Sequence, residues 1–465
     1  MPRRRRQNGR PKFKFKTYFL DPGRPSSPFV SGSRWWIQQH EPLPPFGSGY
    51  KIKCRRGEEA FTKMREEQLP QSIYCLANQP PGPEPPDDAP RLEIEIGEAL
   101  RPLLTQGSHI VACRVISGTI PPVCSTNSTA SANLANSVIS DSLPTPPTLA
   151  TSESPSPVIV AKIFDPLYYY HNGDFDIVEL ADMEYCREAF AYQHLLREGI
   201  DGHLLPAYYG SYSLDVPLTE EQRCFFGQHM GTDHPLLQGS EPFRCVRLIL
   251  MERIEGQSMT SQLVYGDVNG LSDEARLDVI ASTLEAYSQL YYHGLAHGDL
   301  APRNIFLKDL EEKSGNQPVQ QKYKLRFHRF VDLGLAHVLG MPVSAFARQS
   351  VDETRPRNPI RLFWNVFDSG AVSMHYWLPS SMRCTESFQR WMLQRWYNDT
   401  RFEPVGAMPV PVKDDLAWNR GEAATNETWP DARGFASGLA AAGDVKRDMD
   451  GEVLEEEVRG MVDDG

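Results

Sequence analysis

The stretch H-G-D-L-A-P-R-N, His297 to Asn304, is where the reading of this chain turns. Phosphoryl transfer asks for little covalent help from a protein. It does need a carboxylate near the attacking hydroxyl and oxygen ligands for magnesium beside the phosphates. Asp299 and Asn304, five apart on one tight loop, can supply one of each. Taken alone, His, Asp and Asn at these spacings would arise by chance in roughly one chain in forty of this length, so the surroundings must decide.

Immediately upstream, residues 272 to 293 read as a helix. Ser272 can cap it, Asp273 and Glu274 suit the positive end of the dipole, and Gly294 sits where a C-cap belongs. Its stripe of Leu277, Ile280, Leu284, Tyr287 and Tyr291 follows helical spacing and reads as core. Downstream, F-V-D-L-G places Asp332 28 residues past Asn304, after an apolar run and before a glycine that permits a sharp turn. A carboxylate there could hold a magnesium ion; the plain alternative is an Asp-x-Gly surface turn.

Further upstream, Lys162 lies inside the apolar strand V-I-V-A-K-I-F, where a charge needs a partner or a functional reason to point inward. An edge lysine facing solvent is the other reading. A helical stretch from about Ile177 to Arg197 offers the partner: E-A-F-A-Y-Q-H-L puts Glu188 first, with Ala191, Tyr192 and Leu195 spaced to pack. Three more runs read as strands: L-E-I-E-I after Arg91, H-I-V-A-C-R-V-I from His109, and V-R-L-I-L-M-E, in which Val246, Leu248 and Leu250 alternate.

The remainder of the 465 residues is diluted by 38 prolines, which predicts one domain with disordered flanks. Residues 1–90 form a basic, Pro-rich extension expected to be largely disordered. Residues 17–79 receive no role, and P-P-G-P-E-P-P-D-D-A-P reads as a linker. Residues 91–250 and 251–402 carry the folded halves. The first is interrupted at about 117–157 by a Ser/Thr/Pro-rich segment too polar to offset its ordering entropy. Residues 403–465 read as an acidic disordered tail.

A net charge of −12 argues against a general nucleic-acid binder. The eight Arg or Lys among residues 1–16 could be an import signal, a phosphate-binding arm or a solvated tail. Eight scattered cysteines without a C-x-x-C pair read as reduced thiols. No apolar run follows the basic start and none reaches the length of a membrane span. The expectation is therefore a cytoplasmic or nuclear protein without a membrane partner.

Taken in order, V-I-V-A-K, E-x-x-A-Y-x-x-L, L-M-E-R-I-E-G, H-G-D-L-A-P-R-N and D-L-G resemble the protein-kinase-like superfamily over about residues 92 to 402. The resemblance implies an α+β, two-lobed fold, with a small antiparallel N-lobe carrying one helix and a mainly helical C-lobe. It implies ATP and Mg2+, with Lys162 on the α- and β-phosphates and paired to Glu188, a better fit than Glu184. Asp299 would orient or deprotonate the acceptor, and Asn304 and Asp332 would ligate magnesium. Met251 would border the adenine, and the backbone of Glu252 and Ile254 would hydrogen-bond it.

Departures qualify the match. Where G-x-G-x-x-G should cover the phosphates, L-L-T-Q-G-S-H-I-V offers only Gly107. Gly298 replaces the arginine that answers a phosphorylated activation loop, so the resemblance implies no activation by that route. The H-G-D form is similar to that of aminoglycoside and choline-type phosphotransferases, and the style of the whole to divergent kinase-like proteins of filamentous fungi. Ala301 stands where Ser/Thr kinases place lysine, and A-P-R-N resembles the tyrosine-kinase loop through Arg303. No A-P-E follows Asp332, while F-D-S-G-A-V at 367–372 resembles the C-lobe helix that braces the catalytic loop. The implied function is a phosphotransferase acting on a hydroxyl of a protein or small molecule; the alternative is an inactive pseudokinase scaffold.

Overall fold

The computed structural model describes residues 21, 23–80, 82, 88–101, 107–120, 158–170, 175–239, 241–265, 271–310, 324–345, 354–364, 373–383 and 385–406. The basic stretch 1–16, all but the first residues of the 117–157 insertion, the F-D-S-G-A-V segment and the tail beyond Gly406 lie outside the described residues.

Six antiparallel strands close on one another: β1 (Arg34–His40), β2 (Arg91–Ala99), β3 (His109–Ser117), β4 (Ile159–Phe164), β5 (Tyr208–Pro217) and β6 (Phe243–Glu252). Their spatial order is β1-β2-β3-β4-β6-β5, with β1 also bonded to β5, which makes a barrel. Alternation decides which side chains fill it. In β2, Leu92, Ile94 and Ile96 are buried between half-buried glutamates. Strands β4 and β6 are buried on both faces. Ala161, Ile163, Leu248 and Leu250 point into the barrel, while Val160, Ile249 and Met251 join a second core outside it. Lys162 pairs with Ile249 across the ladder and therefore lies on that outer face.

The barrel corrects the sequence reading in two places. The small sheet expected of residues 91–250 is closed by β1, from the extension 1–90 expected to be largely disordered, and Phe29 from the same stretch packs among the barrel's inward residues. Only Ile37 and His40 of R-W-W-I-Q-Q-H are buried and Trp36 is exposed, so the strand carries almost no period-two apolar signal. The single helix expected beside the sheet, α3 (Ile177–Arg197), has company from α1 (Glu58–Glu67), α2 (Gln71–Ala77) and α4 (Glu220–Met230). Tyr74 and Cys75 of α2 pack with Val178 and Ala181 of α3.

Beyond Glu252, helix α5 (Met259–Tyr265) is followed by α6 (Asp273–Tyr292). Ser272 Oγ caps α6 by accepting the Ala275 N–H, and Gly294 closes it at φ 79°. The region expected to be mainly helical then turns to strands. A three-stranded sheet is made by β7 (Gln257–Ser258), β9 (Ile305–Leu310) and β10 (Lys324–Phe330), and β8 (Leu295–Ala296) pairs with β11 (His337–Val338). Helices α7 (Pro359–Phe363) and α8 (Thr385–Trp396) follow. Strands β8 to β11 deliver the H-G-D loop and the D-L-G turn to the same place. The second core runs from the outer face of β4 and β6 through α3 to α6 and α8.

The architecture is thus mixed α and β with antiparallel sheets. No helix among the described residues is long and apolar enough to cross a membrane. The six described cysteines are all free thiols, while Cys124 and Cys384 lie outside the described residues.

Candidate active site

Asp176 caps α3 by accepting the N–H groups of Val178 and Glu179, which sets the helix against the barrel with Glu188 fully buried. Lys162 Nζ donates to Glu188 Oε2 at 2.6 Å and to Asp332 Oδ1 at 2.8 Å. Glu184, one turn earlier, is held by the Tyr169 hydroxyl at 3.1 Å and is not the lysine's partner. Burial works against the Lys162 charge, but the Asp332 and Glu188 carboxylates outweigh it and hold the ammonium above its ordinary range. Complete burial pushes the Glu188 carboxyl up to about 7, with the Lys162 ammonium pulling the other way.

Asp332 has φ 66°, a left-handed conformation in which a non-glycine residue stores on the order of 1–3 kcal/mol. Its neighbours hold it there. Phe330 N–H bonds to Leu204 O and Val331 N–H to Asn304 O. His297 Nε2 lies 3.0 Å from the Val331 carbonyl, and His297 Nδ1 accepts the Asp299 N–H at 3.3 Å. These two bonds require the neutral tautomer protonated on Nε2, and burial lowers the His297 pKa in agreement. The buried histidine thus ties the loop carrying Asp299 to the strand end carrying Asp332.

On the loop, Asn304 Nδ2 donates to Asp299 O at 3.0 Å and to Asp299 Oδ2 at 2.9 Å, which turns the amide oxygen away from Asp299. Arg303 Nη2 reaches both Asp299 carboxylate oxygens, at 3.1 and 2.8 Å. Arg303 therefore belongs to the site, although the sequence reading used it only as a family marker. Its signal was its i, i+4 spacing from Asp299.

Gly298 has a structural reason of its own. Its φ is 79°, and a Cβ there would lie 2.0 Å from the Leu335 carbonyl oxygen. No arginine fits this position while the D-L-G-L-A turn runs where it does. Gly298→Ala is expected to cost at least about 2 kcal/mol in urea unfolding. Gly294→Ala has the same φ, but its nearest contact is 3.1 Å, to the His194 ring, so it should cost less. Equal losses would remove the Leu335 contact as the cause.

Of the residues expected to border an adenine, Met251 is buried on the same face of the sheet as Lys162 and receives the Tyr192 hydroxyl at 3.7 Å. Glu252 is bracketed to Ala207: its N–H donates to Ala207 O, and its Oε2 accepts the Ala207 N–H at 3.0 Å. The Glu252 amide is therefore already spent on Ala207, so it is not free to be the donor expected to meet an adenine. Ile254 follows, half-buried, in the irregular link to β7. Gly107 lies in the β2–β3 connection at φ 112°, and among the described residues it is bonded to none of the other site residues.

Asp332 and Asn304 present oxygen donors, the ligand type of a hard cation. Among the described residues there is no group of three or more His, Cys, Asp or Glu side chains that could hold a metal by themselves.

No family model matches the chain, and no curated protein matches it. Among solved structures, the crystal structure of the PF14_0431 kinase domain matches with 12% identity over 53% of this chain and a TM-score of 0.28. The match covers 51% of that domain, about half its length. So loose a likeness carries no argument about individual residues.

Proposed function

We propose that this chain is an ATP- and magnesium-dependent phosphotransferase of kinase-like, two-lobed architecture that passes the γ-phosphate to a hydroxyl on a protein or small molecule. The observation that carries the reading is the buried Lys162 ammonium shared between Glu188 and Asp332, with Asp299 and Asn304 joined to Asp332 through His297 and Val331. Burying Lys162 and Glu188 costs desolvation, and groups perturbed in this way cluster at functional sites.

In this reading Lys162, fixed by Glu188, binds the α- and β-phosphate oxygens. Met251 borders the adenine. Asp299 aligns the acceptor hydroxyl and takes its proton as the oxygen attacks the γ-phosphorus and the bond to the ADP oxygen breaks. Arg303 and Asn304 hold the carboxylate in the orientation this requires. Asp332 and Asn304 are the residues that would hold magnesium, which when bound neutralises phosphate charge.

The glycine-poor β2–β3 connection favours a second reading, a scaffold that holds no nucleotide. Thermal unfolding separates the two. With ATP and magnesium at 100 times Kd, stabilisation of about 2.7 kcal/mol is expected, and Asp332→Asn should abolish its magnesium dependence. A wild-type protein whose melting temperature ignores Mg-ATP would leave only the scaffold.

A further inference from the structure

The segment F-G-S-G-Y-K, Phe46 to Lys51, belongs to the stretch that the sequence left without a role, yet it reaches both halves of the site. Tyr50 is fully buried. Its hydroxyl donates to Ala336 O at 3.0 Å and accepts the Val338 N–H at 3.1 Å, so it replaces a missing backbone partner at the end of the D-L-G turn. The backbone around it forms a two-sided bridge with the same stretch: Lys51 N–H bonds to Val343 O, and Ala345 N–H to Gly49 O.

On its other side the segment grips α3. Arg187 precedes Glu188 and is itself buried. It donates to Phe46 O at 2.8 Å and to Ser48 O at 2.9 Å, with its guanidinium 5.5 Å from the centre of the Tyr50 ring. Gly47 and Gly49 adopt φ of 93° and 83°, and a Cβ on Gly47 would lie 2.4 Å from the Arg187 guanidinium. A single turn of chain therefore bonds to the neighbour of Glu188 and to the peptide four residues beyond Asp332. Through the β8–β11 pair it also braces the strand that leads into His297.

We propose that Phe46–Lys51 is an intramolecular clamp, with Tyr50 and Arg187 as positioning residues that keep Glu188 and Asp332 together on Lys162 without a phosphorylated loop. The proposal rests on the phosphotransferase reading for its consequence and on the contacts above for its substance. Gly298 admits no side chain while the Leu335 carbonyl lies where it does, so the loop has no aligning group of its own at that position. The clamp supplies that alignment from another part of the chain.

The test uses the full chain and three readouts. In the wild type, amide hydrogen exchange should release Lys51, Val338 and Ala345 at one common rate, as a single opening unit. In Tyr50→Phe, Lys162 should react several-fold faster with an amine-reactive ester, read by mass spectrometry well below the melting temperature. In the same variant kcat for transfer from Mg-ATP should fall about 10- to 100-fold, and more than KM for the acceptor changes. Arg187→Lys, which keeps the charge but loses the fork, should give the same signature more weakly. Val338 staying protected after Lys51 and Ala345 have exchanged, or an unchanged Lys162 reactivity in Tyr50→Phe, overturns the clamp. A wild type that transfers no phosphate overturns the phosphotransferase reading instead, while the exchange and labelling results still decide the clamp.

Discussion

Asp299→Ala is expected to reduce phosphate transfer from Mg-ATP by about 10²- to 10⁴-fold, the range that a positioned acid or base contributes, while leaving nucleotide affinity within a few-fold. The split follows from the geometry. Asp299 receives Arg303 and Asn304 at its carboxylate but makes no bond to Lys162, whose contacts go to Glu188 and Asp332. Truncation removes the acceptor's partner and leaves the ammonium in place. Asp299→Asn should lose as much activity at a higher cost to the loop, because its amide would set N–H groups against those of Arg303 or Asn304. Single-turnover transfer to a panel of peptides, aminoglycosides and choline, with Mg-ATP affinity measured alongside, checks both halves. Activity surviving in Asp299→Ala would place the base elsewhere.

Why these residues were legible and others not follows from how each one signals. Lys162 stood out because an ammonium in a run of Val, Ile and Ala is costly without a partner, and the structure supplies two. Helices α3 and α6 and strand β2 showed themselves because a buried face repeats along them, and strands β3, β4 and β6 because they are apolar, β-branched runs. Strand β5 did not: its buried positions include Gly210 and Ser211, which carry no apolar signal, and a bulge at Tyr208 and Gly210 breaks the period. The role of Tyr50 was invisible for a different reason. It is defined by bonds to Ala336 and Val338, some 286 and 288 positions away, and nothing local marks a tyrosine for that. Gly298 stands where the resemblance implies an arginine, yet the close Leu335 carbonyl makes it a residue the backbone requires.

The largest effect on stability should come from Lys162→Met, and its dependence on pH identifies the cause. Removing one partner of a buried ion pair costs about 3–5 kcal/mol, because the charge left behind has no water and no counterion. Here that charge is Glu188, fully buried, with Asp332 partly exposed beside it. The carboxyl of Glu188 is already raised to about 7 by burial against the pull of Lys162, and loss of the ammonium removes the opposing influence. For an acid whose pKa is higher in the folded state than in the unfolded chain, the stabilisation is complete below the unfolded value. It is lost as pH rises through the folded one. In the wild type this loss is finished near pH 7. In Lys162→Met it should continue above pH 7 at about 1.4 kcal/mol per unit, so the two stability curves diverge between pH 7 and 9. The double variant Lys162→Met/Glu188→Met buries no charge at this position and should regain much of the stability, with the extra slope gone. Parallel curves for wild type and Lys162→Met would mean that Glu188 is not the group left stranded, and the assignment of Lys162 to Glu188 would fall with it.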